Sequence, residues 1–501
     1  MLDAFLQGVI APFQPHVFLF VLAGLIISAI LGAIPGIGAF HVFAMLLPLA
    51  FVLPPEQGLA FLASLTVAGS IGGAVTSILF GVPGTATNVA TILEGYPMTQ
   101  KGEGARAVGA AMASSGLGGM LGGIMILPLI PVIQPLVLSF KSPEIFLVIL
   151  LGILFIAELG REDPLRALIA GVLGLLLSTV GMHPYSGVYR FTFDQLFLFE
   201  GLPLIPVIMG LFTVPAAIEL ALNPPASVFG KEEIRLPFKD MLEGVKDLFR
   251  NFGIWLRATL IGCFTGLIPG IGSVVGIWLA YGHAKQSSPR GDQFGSGCVE
   301  GVLATESANE SGEASAFLTT VAFGIPGSAT WAVLIGAFML AGLPAGPGML
   351  WTLPEISFTL LWIIIWGNAL AALGVALFAT QIARLAYFPS YIIAPSLLVF
   401  AFLSTYLARE DIGHFVILIL ASALGYAMTR YQYSKASFII GFILGGMAER
   451  NYEMARAAFG PFFMFSSPVA WILFLLCVGT IIYRPVLKRI RPASRPLHGE
   501  N

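Results

Sequence analysis

The chain has 501 residues, of which 57% are hydrophobic and only 10% charged, with a formal net charge of −2. A soluble domain carries roughly a quarter charged residues, so this composition excludes an ordinary soluble protein. The near-zero charge implies no nucleic-acid partner, and three scattered cysteines (Cys263, Cys298, Cys477) indicate neither a metal cluster nor a disulfide framework.

In chain order, Met1–Pro15 holds Asp3 and no Lys or Arg, so it lacks the basic region of a secretory signal. The first apolar run, Val17–Ile34, is therefore expected to remain as a membrane helix. It ends in Gly32-Ala33-Ile34-Pro35-Gly36-Ile37-Gly38. The run Leu59–Phe80 leads into Phe80-Gly81-Val82-Pro83-Gly84-Thr85-Ala86-Thr87, with Asn88 and Thr91 just beyond. Ala107–Ile133, Ile145–Leu159 and Ile205–Leu222 follow, and the hydrophilic stretch Asn223–Asn251 then interrupts the pattern. Further apolar runs cover Trp255–Ile268, Ile356–Ile382, Tyr391–Leu407, Phe415–Ala427 and Val469–Tyr483. A spanning helix needs about 20 mostly apolar residues. Only helices and closed barrels satisfy every backbone polar group in lipid, and continuous runs without alternation select helices. The expected fold is an all-α polytopic membrane protein.

The basic residues set an orientation. Lys231, Arg235, Lys239, Lys246 and Arg250 fall in the middle stretch, and Arg484, Lys488, Arg489, Arg491 and Arg495 in the tail. By the positive-inside rule both face the cytoplasm, which leaves the unbasic N-terminus outside.

An internal repeat organises the chain. Gly32–Gly38 reappears as Gly266-Leu267-Ile268-Pro269-Gly270-Ile271-Gly272, and Phe80–Thr87 as Phe323-Gly324-Ile325-Pro326-Gly327-Ser328-Ala329-Thr330. Pro143-Glu144 is paired with Pro354-Glu355, and Arg161-Glu162-Asp163 with Arg409-Glu410-Asp411. This predicts a first membrane repeat over 1–222, a cytoplasmic connecting segment over 223–251 and a second repeat over 252–453. The region 454–501 is expected to be one extra C-terminal transmembrane helix and a basic cytoplasmic tail. With the N-terminus outside and the connection inside, each half crosses an odd number of times, so the repeats are inverted. Inverted repeats with broken helices typify secondary transporters, and Gly/Pro-interrupted segments at matching positions point to the binding site.

Proline removes an amide donor and breaks the helix, and the following glycine permits backbone angles closed to other residues. A helix restarting after the break presents unsatisfied amides that attract anions, carboxylates included. The candidate substrate-binding residues are therefore Pro35, Gly36, Gly38, Pro83, Gly84, Thr85, Thr87 and Asn88 in the first half. Their second-half counterparts are Pro269, Gly270, Gly272, Pro326, Gly327, Ser328 and Thr330. Re-entrant segments at the two Pro-Gly-Thr/Ser motifs would form a two-sided cup.

Glu306, Asn309, Glu310 and Glu313 precede the second of these motifs, and on a helix the spacing puts Glu306, Asn309 and Glu310 on one face. An intramembrane carboxylate marks an ion or proton path, so Glu306, Asn309 and Glu310 are the candidate ion-coupling residues. A solvated loop is the competing reading, supported by the polar stretch Gln286–Ser296. The pairs Gly118/Gly122, Gly119/Gly123 and Gly441/Gly445 have the spacing of close helix packing. No His-Glu-x-x-His, no plausible nucleophile–base pair and no phosphate loop occurs, which argues against a membrane enzyme or a primary pump. A stand-alone carrier or a channel for organic anions stays open on these residues alone.

The chain resembles the large membrane subunit of the tripartite tricarboxylate transporter family, the TctA type. The resemblance is carried by the paired Ile-Pro-Gly-Ile-Gly motifs, Val82-Pro83-Gly84, Glu94-Gly95-Tyr96-Pro97-Met98 and Gly187-Val188-Tyr189-Arg190-Phe191-Thr192-Phe193-Asp194. It extends to Glu306-Ser307-Ala308-Asn309 and Gly324-Ile325-Pro326-Gly327-Ser328. It departs at Glu310, where family members often carry Asn. The resemblance implies a small membrane subunit, a periplasmic solute-binding protein and an organic carboxylate as partners, in a bacterial inner membrane. It also implies gradient-driven uptake with no resident cofactor, Na+ or a proton being the candidate coupling ion.

Overall fold

The computed structural model describes residues 2–34, 38–159, 164–183, 185–222, 236–268, 272–343, 346–385, 390–409 and 411–490. The chain is almost entirely helical, with one short antiparallel pairing of Gly181–Met182 with Tyr189–Arg190 among the described residues. Among the described residues, six helices are long and apolar enough to cross a membrane: Pro15–Gly32, Pro55–Phe80, Gly104–Ile133, Leu204–Leu222, Pro354–Leu377 and Gly413–Arg430. The all-α polytopic membrane fold follows from these and from shorter apolar helices between them.

The first half runs α1 (Leu2–Ile10), α2 (Pro15–Gly32), α3 (Gly38–Val52), α4 (Pro55–Phe80), α5 (Val89–Gln100) and α6 (Gly104–Ile126). It continues with α7 (Leu129–Leu138), α8 (Ser142–Leu159), α9 (Pro164–Leu177), α10 (Leu204–Ile208) and α11 (Val214–Leu222), the last two joined by a π-helical turn at Met209–Thr213. The remainder begins with α12 (Phe238–Arg250), α13 (Phe252–Gly266), α14 (Gly272–Ser287), α15 (Val299–Phe323), α16 (Ala329–Leu340) and α17 (Pro347–Thr352). It closes with α18 (Pro354–Leu377), α19 (Ala379–Leu385), α20 (Ser390–Arg409), α21 (Gly413–Arg430), α22 (Lys435–Phe459) and α23 (Pro468–Ile490).

Two long helices are stopped by the same device. α4 ends on Gly81 with φ +67° and α15 on Gly324 with φ +71°, the left-handed conformation that closes a helix cheaply only at glycine. A proline stands two residues later in each case, Pro83 and Pro326, and cannot resume the helix. The short helices α5 and α16 then restart after the breaks.

The helices beside these breaks cross at backbone contact. A Cβ on Gly32 of α2 would lie 2.2 Å from the Gly69 carbonyl oxygen of α4, and one on Gly266 of α13 would lie 2.1 Å from that of Gly312 on α15. The small-residue pairs pack in the same way: Gly118 and Gly122 of α6 meet Ser307 and Ser311 of α15, while Gly441 of α22 meets Gly171.

The two sequence halves do not form separate bodies. α6 packs along α15, and α18 packs against both α4 and α6, so the halves interleave around α4 and α15. A second bundle, built from α8, α9, α22 and α23 with α10, α11, α20 and α21, joins the first through α3 and α16. The boundary expected at 453/454 falls inside α22, which runs unbroken from Lys435 to Phe459. Pro143-Glu144 and Pro354-Glu355 also lie out of step: they open α8 and α18, ten elements apart, whereas α4 and α15 stand eleven apart.

The connecting segment is not wholly a loop. α12 is an amphipathic helix laid on α6, with Gly109 and Gly244 each against the partner helix's backbone and Arg106 Nε donating to Asp247 Oδ2 at 2.6 Å.

Candidate functional site

The site is organised by α15. This helix is buried along nearly its whole length, and the reading of Glu306–Glu313 as part of a solvated loop is overturned by it. Glu306 and Glu310 are buried, whereas Glu313 is only partly so. Offsets of three residues (Glu306 to Asn309, Glu310 to Glu313) and of four (Glu306 to Glu310, Asn309 to Glu313) set these side chains along one face. A charge taken from water into such an interior costs several kcal/mol unless its lone pairs are satisfied, roughly the effective penalty found in proteins. Hydroxyls and amides from six other places in the fold, and from Asn309 of α15 itself, satisfy them.

Glu306 accepts from Thr91 Oγ1 at 2.5 Å, Ser115 Oγ at 2.8 Å and Asn88 Nδ2 at 3.4 Å, which brings α5, α6 and the turn before α5 onto one carboxylate. Glu310 accepts from Ser70 Oγ of α4 at 2.6 Å and from Asn309 Nδ2 at 3.2 Å. Glu313 accepts from Ser273 Oγ, one residue into α14, at 2.7 Å and at 3.1 Å from Ser328 Oγ, of the residue just before α16. No ion pair involves any of the three carboxylates among the described residues. The Oδ1 atom of the buried Asn309 has no hydrogen-bond partner.

Of the residues expected to bind substrate, Asn88 and Ser328 bond this row directly, and Thr85 and Thr87 reach it through Asn88. Thr85 donates to Asn88 Oδ1 at 2.6 Å and lies 2.9 Å from the Thr87 hydroxyl, while the other end of Asn88 reaches Glu306. Ser328 is bound to Glu313. Gly84 and Gly327 do not line open space. A Cβ on Gly84 would fall 2.4 Å from Gly73 Cα, and one on Gly327 would fall 2.4 Å from Ala316 Cβ, so both glycines serve the seating of their motif on the long helix. Pro83 is exposed, Pro326 is buried and Thr330 is half-buried. Gly38 and Gly272 open α3 and α14. Pro35, Gly36, Pro269 and Gly270 lie outside the described residues.

A second buried carboxylate cluster of contacts was visible in the sequence only as a motif letter. Glu94 of α5 accepts from the amides of Gly295, Gly297 and Cys298 at 2.5, 2.9 and 2.7 Å and from Tyr281 Oη at 2.7 Å. Cys298 is the cap of α15, so Glu94 sits at the positive end of the helix that carries the carboxylate row. Ser70, Ser115 and Ser273 carried no sequence signal, because a lone serine in an apolar run announces nothing until its partner is known.

The hairpin between α9 and α10 holds the Gly187–Asp194 motif. It exposes Tyr185, Phe191 and Phe193 and is anchored by Arg190 Nη1 and Nη2 on Glu449 at 2.5 and 3.0 Å. A cleft of about 1010 Å³ opens beside it and shares no lining residue with the carboxylate row.

A buried row of unpaired carboxylates facing two broken-helix regions within a polytopic helical fold defines the class as a membrane transporter. Residues 18–440 match the Tripartite tricarboxylate transporter TctA family, and the chain belongs to that family. Members work with a small membrane subunit and a periplasmic binding protein in tripartite transporters. The chain is 30% identical to an uncharacterized 52.8 kDa protein in the TAR-I ttuC' 3'region of Agrobacterium vitis, over 86% of this chain and 85% of that one. It is 28% identical to an uncharacterized protein in the TAR-II ttuC' 3'region of the same organism, over 39% of this chain and 80% of that one. No solved structure matches the chain.

Proposed function

We propose that this chain is the permease of a binding-protein-dependent secondary transporter that imports an organic carboxylate, a tricarboxylate or dicarboxylate, on a proton or sodium gradient. The carrying observation is the row Glu306, Asn309, Glu310 and Glu313, held only by neutral donors and set between the two Pro-Gly-Thr/Ser breaks. An anionic substrate arriving beside an unneutralised carboxylate meets a repulsion of about 4 kcal/mol at 4 Å in a medium of effective dielectric 20. Substrate therefore enters only together with a cation or proton that neutralises the row.

Neutralisation also releases donors. Thr91, Asn88 and Ser328 now bond the protein's own carboxylates. Once these are neutralised, the same groups turn to the substrate, together with the amides at the starts of α5 and α16. The chemistry thus links ion binding to substrate binding through shared hydroxyls, with Glu306, Asn309 and Glu310 as coupling residues. In this reading the N-terminus is outside, the repeats are inverted, and α23 returns the basic tail to the cytoplasmic side of a bacterial inner membrane. A solute-binding protein delivers the substrate from outside, and a small membrane subunit completes the complex.

The test is uptake of a labelled carboxylate panel by cells carrying this chain alone, then with a small membrane subunit and a cognate binding protein. Saturable uptake of one or more carboxylates only with all three is the expected result. Equal uptake by the chain alone would remove the partner assignment, and no carboxylate uptake in any combination would remove the substrate class.

A further inference from the structure

The side chains of α12 are sorted into stripes. At about 3.6 residues per turn, Phe238, Leu242, Val245 and Phe249 share one side, Lys239, Lys246 and Arg250 stand next to them, and Asp240, Glu243 and Asp247 lie beyond. Gly244 and Asp247 are turned to α6, where Arg106 holds Asp247. Phe238, Leu242 and Phe249 are exposed, and so are all three cations. A helix that exposes aromatic and aliphatic side chains beside a basic stripe has the pattern of a helix at a membrane surface.

Along the apolar stripe, α12, α6 and α18 enclose a groove of about 290 Å³. Every residue lining it is Gly, Ala, Val, Leu, Met or Phe. Small residues make its floor: a Cβ on Gly116 of α6 would lie 2.7 Å from Ala372 Cβ of α18, and Ala113, Ala369 and Ala376 are half-buried around that crossing. Leu117 and Leu373 are exposed at its edge, so the groove opens on the side that faces lipid.

Size and charge select the occupant. One turn of helix, about 10 Å across and 5.4 Å long, fills roughly 400 Å³, so the groove is too small to seat a helix of another subunit or of a second copy. A single hydrocarbon chain is slimmer and meets carbon on every wall. Lys239 and Lys246 stand three residues before and four after Leu242, a groove residue, so both flank it on the helix surface. Lys246 and Arg250 share the carboxylate of Glu243 at 3.6 and 3.5 Å, and Arg250 also reaches Asp247 at 3.3 Å, the carboxylate that Arg106 holds. One exposed acid thus stands between two exposed cations, and Lys239 adds a third to the same stripe. A phosphodiester at this stripe answers its charge, whereas an apolar helix laid over it would bury cations without a counter-charge.

We propose that the groove between α6, α12 and α18 is a phospholipid site, with one acyl chain along Ala113, Ala369 and Ala376 and the phosphate at Lys239 and Lys246. A lipid held there braces α12 against α6, the helix whose Ser115 bonds Glu306. The site needs only the membrane fold, so it stands apart from the transport reading.

The experiment is native mass spectrometry of the purified full-length chain, stripped of lipid in detergent and titrated with dioleoylphosphatidylglycerol or with dioleoylglycerol, which has the same chains and no phosphate. Saturable retention of phosphatidylglycerol is expected, at least tenfold tighter than that of dioleoylglycerol. It is expected to weaken at least tenfold in Lys239→Gln/Lys246→Gln, which removes the phosphate partners, and in Ala113→Leu/Ala376→Leu, which fills the groove. The two lysines are exposed, so their variant decides the matter where the groove-filled one folds poorly. Equal retention of the two lipids, or phosphatidylglycerol retention unchanged in Lys239→Gln/Lys246→Gln, would overturn the inference. So would loss of a dimer, or of a co-purified small membrane subunit, in place of loss of lipid from the groove-filled variant, because the groove would then belong to a protein partner.

Discussion

The hydroxyl of Ser70 in the first half donates a 2.6 Å hydrogen bond to the carboxylate of Glu310 in the second half. The two residues stand 240 positions apart, and their contact joins α4 to α15 at the level where both helices approach their breaks. Any change in the charge of Glu310 is therefore felt directly by the helix that carries the first Pro-Gly motif.

Ser70→Ala removes a hydrogen bond to a buried charged group, a change worth about 1.5–3 kcal/mol. The variant is expected to insert and fold, and to need about tenfold less driving cation for half-maximal uptake, because the lost donor stabilised the carboxylate before neutralisation and 1.4 kcal/mol is a factor of ten. Uptake measured against external cation concentration reads this out. An unaltered cation dependence would show that Ser70 does not tune Glu310.

Glu94→Ala removes the acceptor of three amides and one phenol at the start of α15. The segment 295–298 then loses its anchor, and the buried thiol of Cys298 becomes reachable. Maleimide labelling of Cys298 in a variant lacking Cys263 and Cys477 is expected to accelerate at least tenfold over the same background with Glu94. Equal rates in both would mean that packing alone holds the segment.

Gly266→Ala places a methyl group 2.1 Å from the Gly312 carbonyl oxygen, a clash between two backbones that cannot be relieved by turning a side chain. Overpacking of this kind costs about 1–3 kcal/mol or more. Gly253→Ala, in the same helix and with nothing within 4 Å of the new Cβ, is expected to be neutral or to gain about 0.5–1 kcal/mol. Monodisperse yield and thermal unfolding of the two variants should therefore move in opposite directions, and a tolerated Gly266→Ala would disprove the close crossing.

The sequence exposed the breaks and hid the helix between them. Pro83 and Pro326 are legible because proline cannot donate an amide wherever it stands, and the left-handed glycines Gly81 and Gly324 immediately precede those motifs. The shared face of Glu306, Asn309 and Glu310 follows from spacing alone. That α15 crosses the molecule as a buried helix does not, because its four acids and many Ser and Thr residues lower its hydropathy below that of its neighbours. Only the register with α4, read back from Phe323 to Phe80, carries that information.

One other misreading has a physical cause. Pro143-Glu144 and Pro354-Glu355 look alike because Pro and Glu both favour the first turn of any helix, α8 and α18 alike, so the likeness reports a helix start and not a repeat position. Gly84 and Gly327 follow the prolines of the two breaks, and each presses against its own long helix. A glycine beside a proline signals close approach, and the sequence alone does not say to what.

The most direct test of coupling through the carboxylate row is accumulation of a labelled carboxylate in proteoliposomes holding the complete three-component system, with and without an imposed inward Na+ or proton gradient. Wild-type protein is predicted to accumulate substrate above the external concentration only under such a gradient, and Glu310→Gln, which keeps the shape and the Ser70 contact but not the charge, is predicted to lose that accumulation. Accumulation without any gradient, or gradient-driven accumulation that survives intact in Glu310→Gln, would contradict the account.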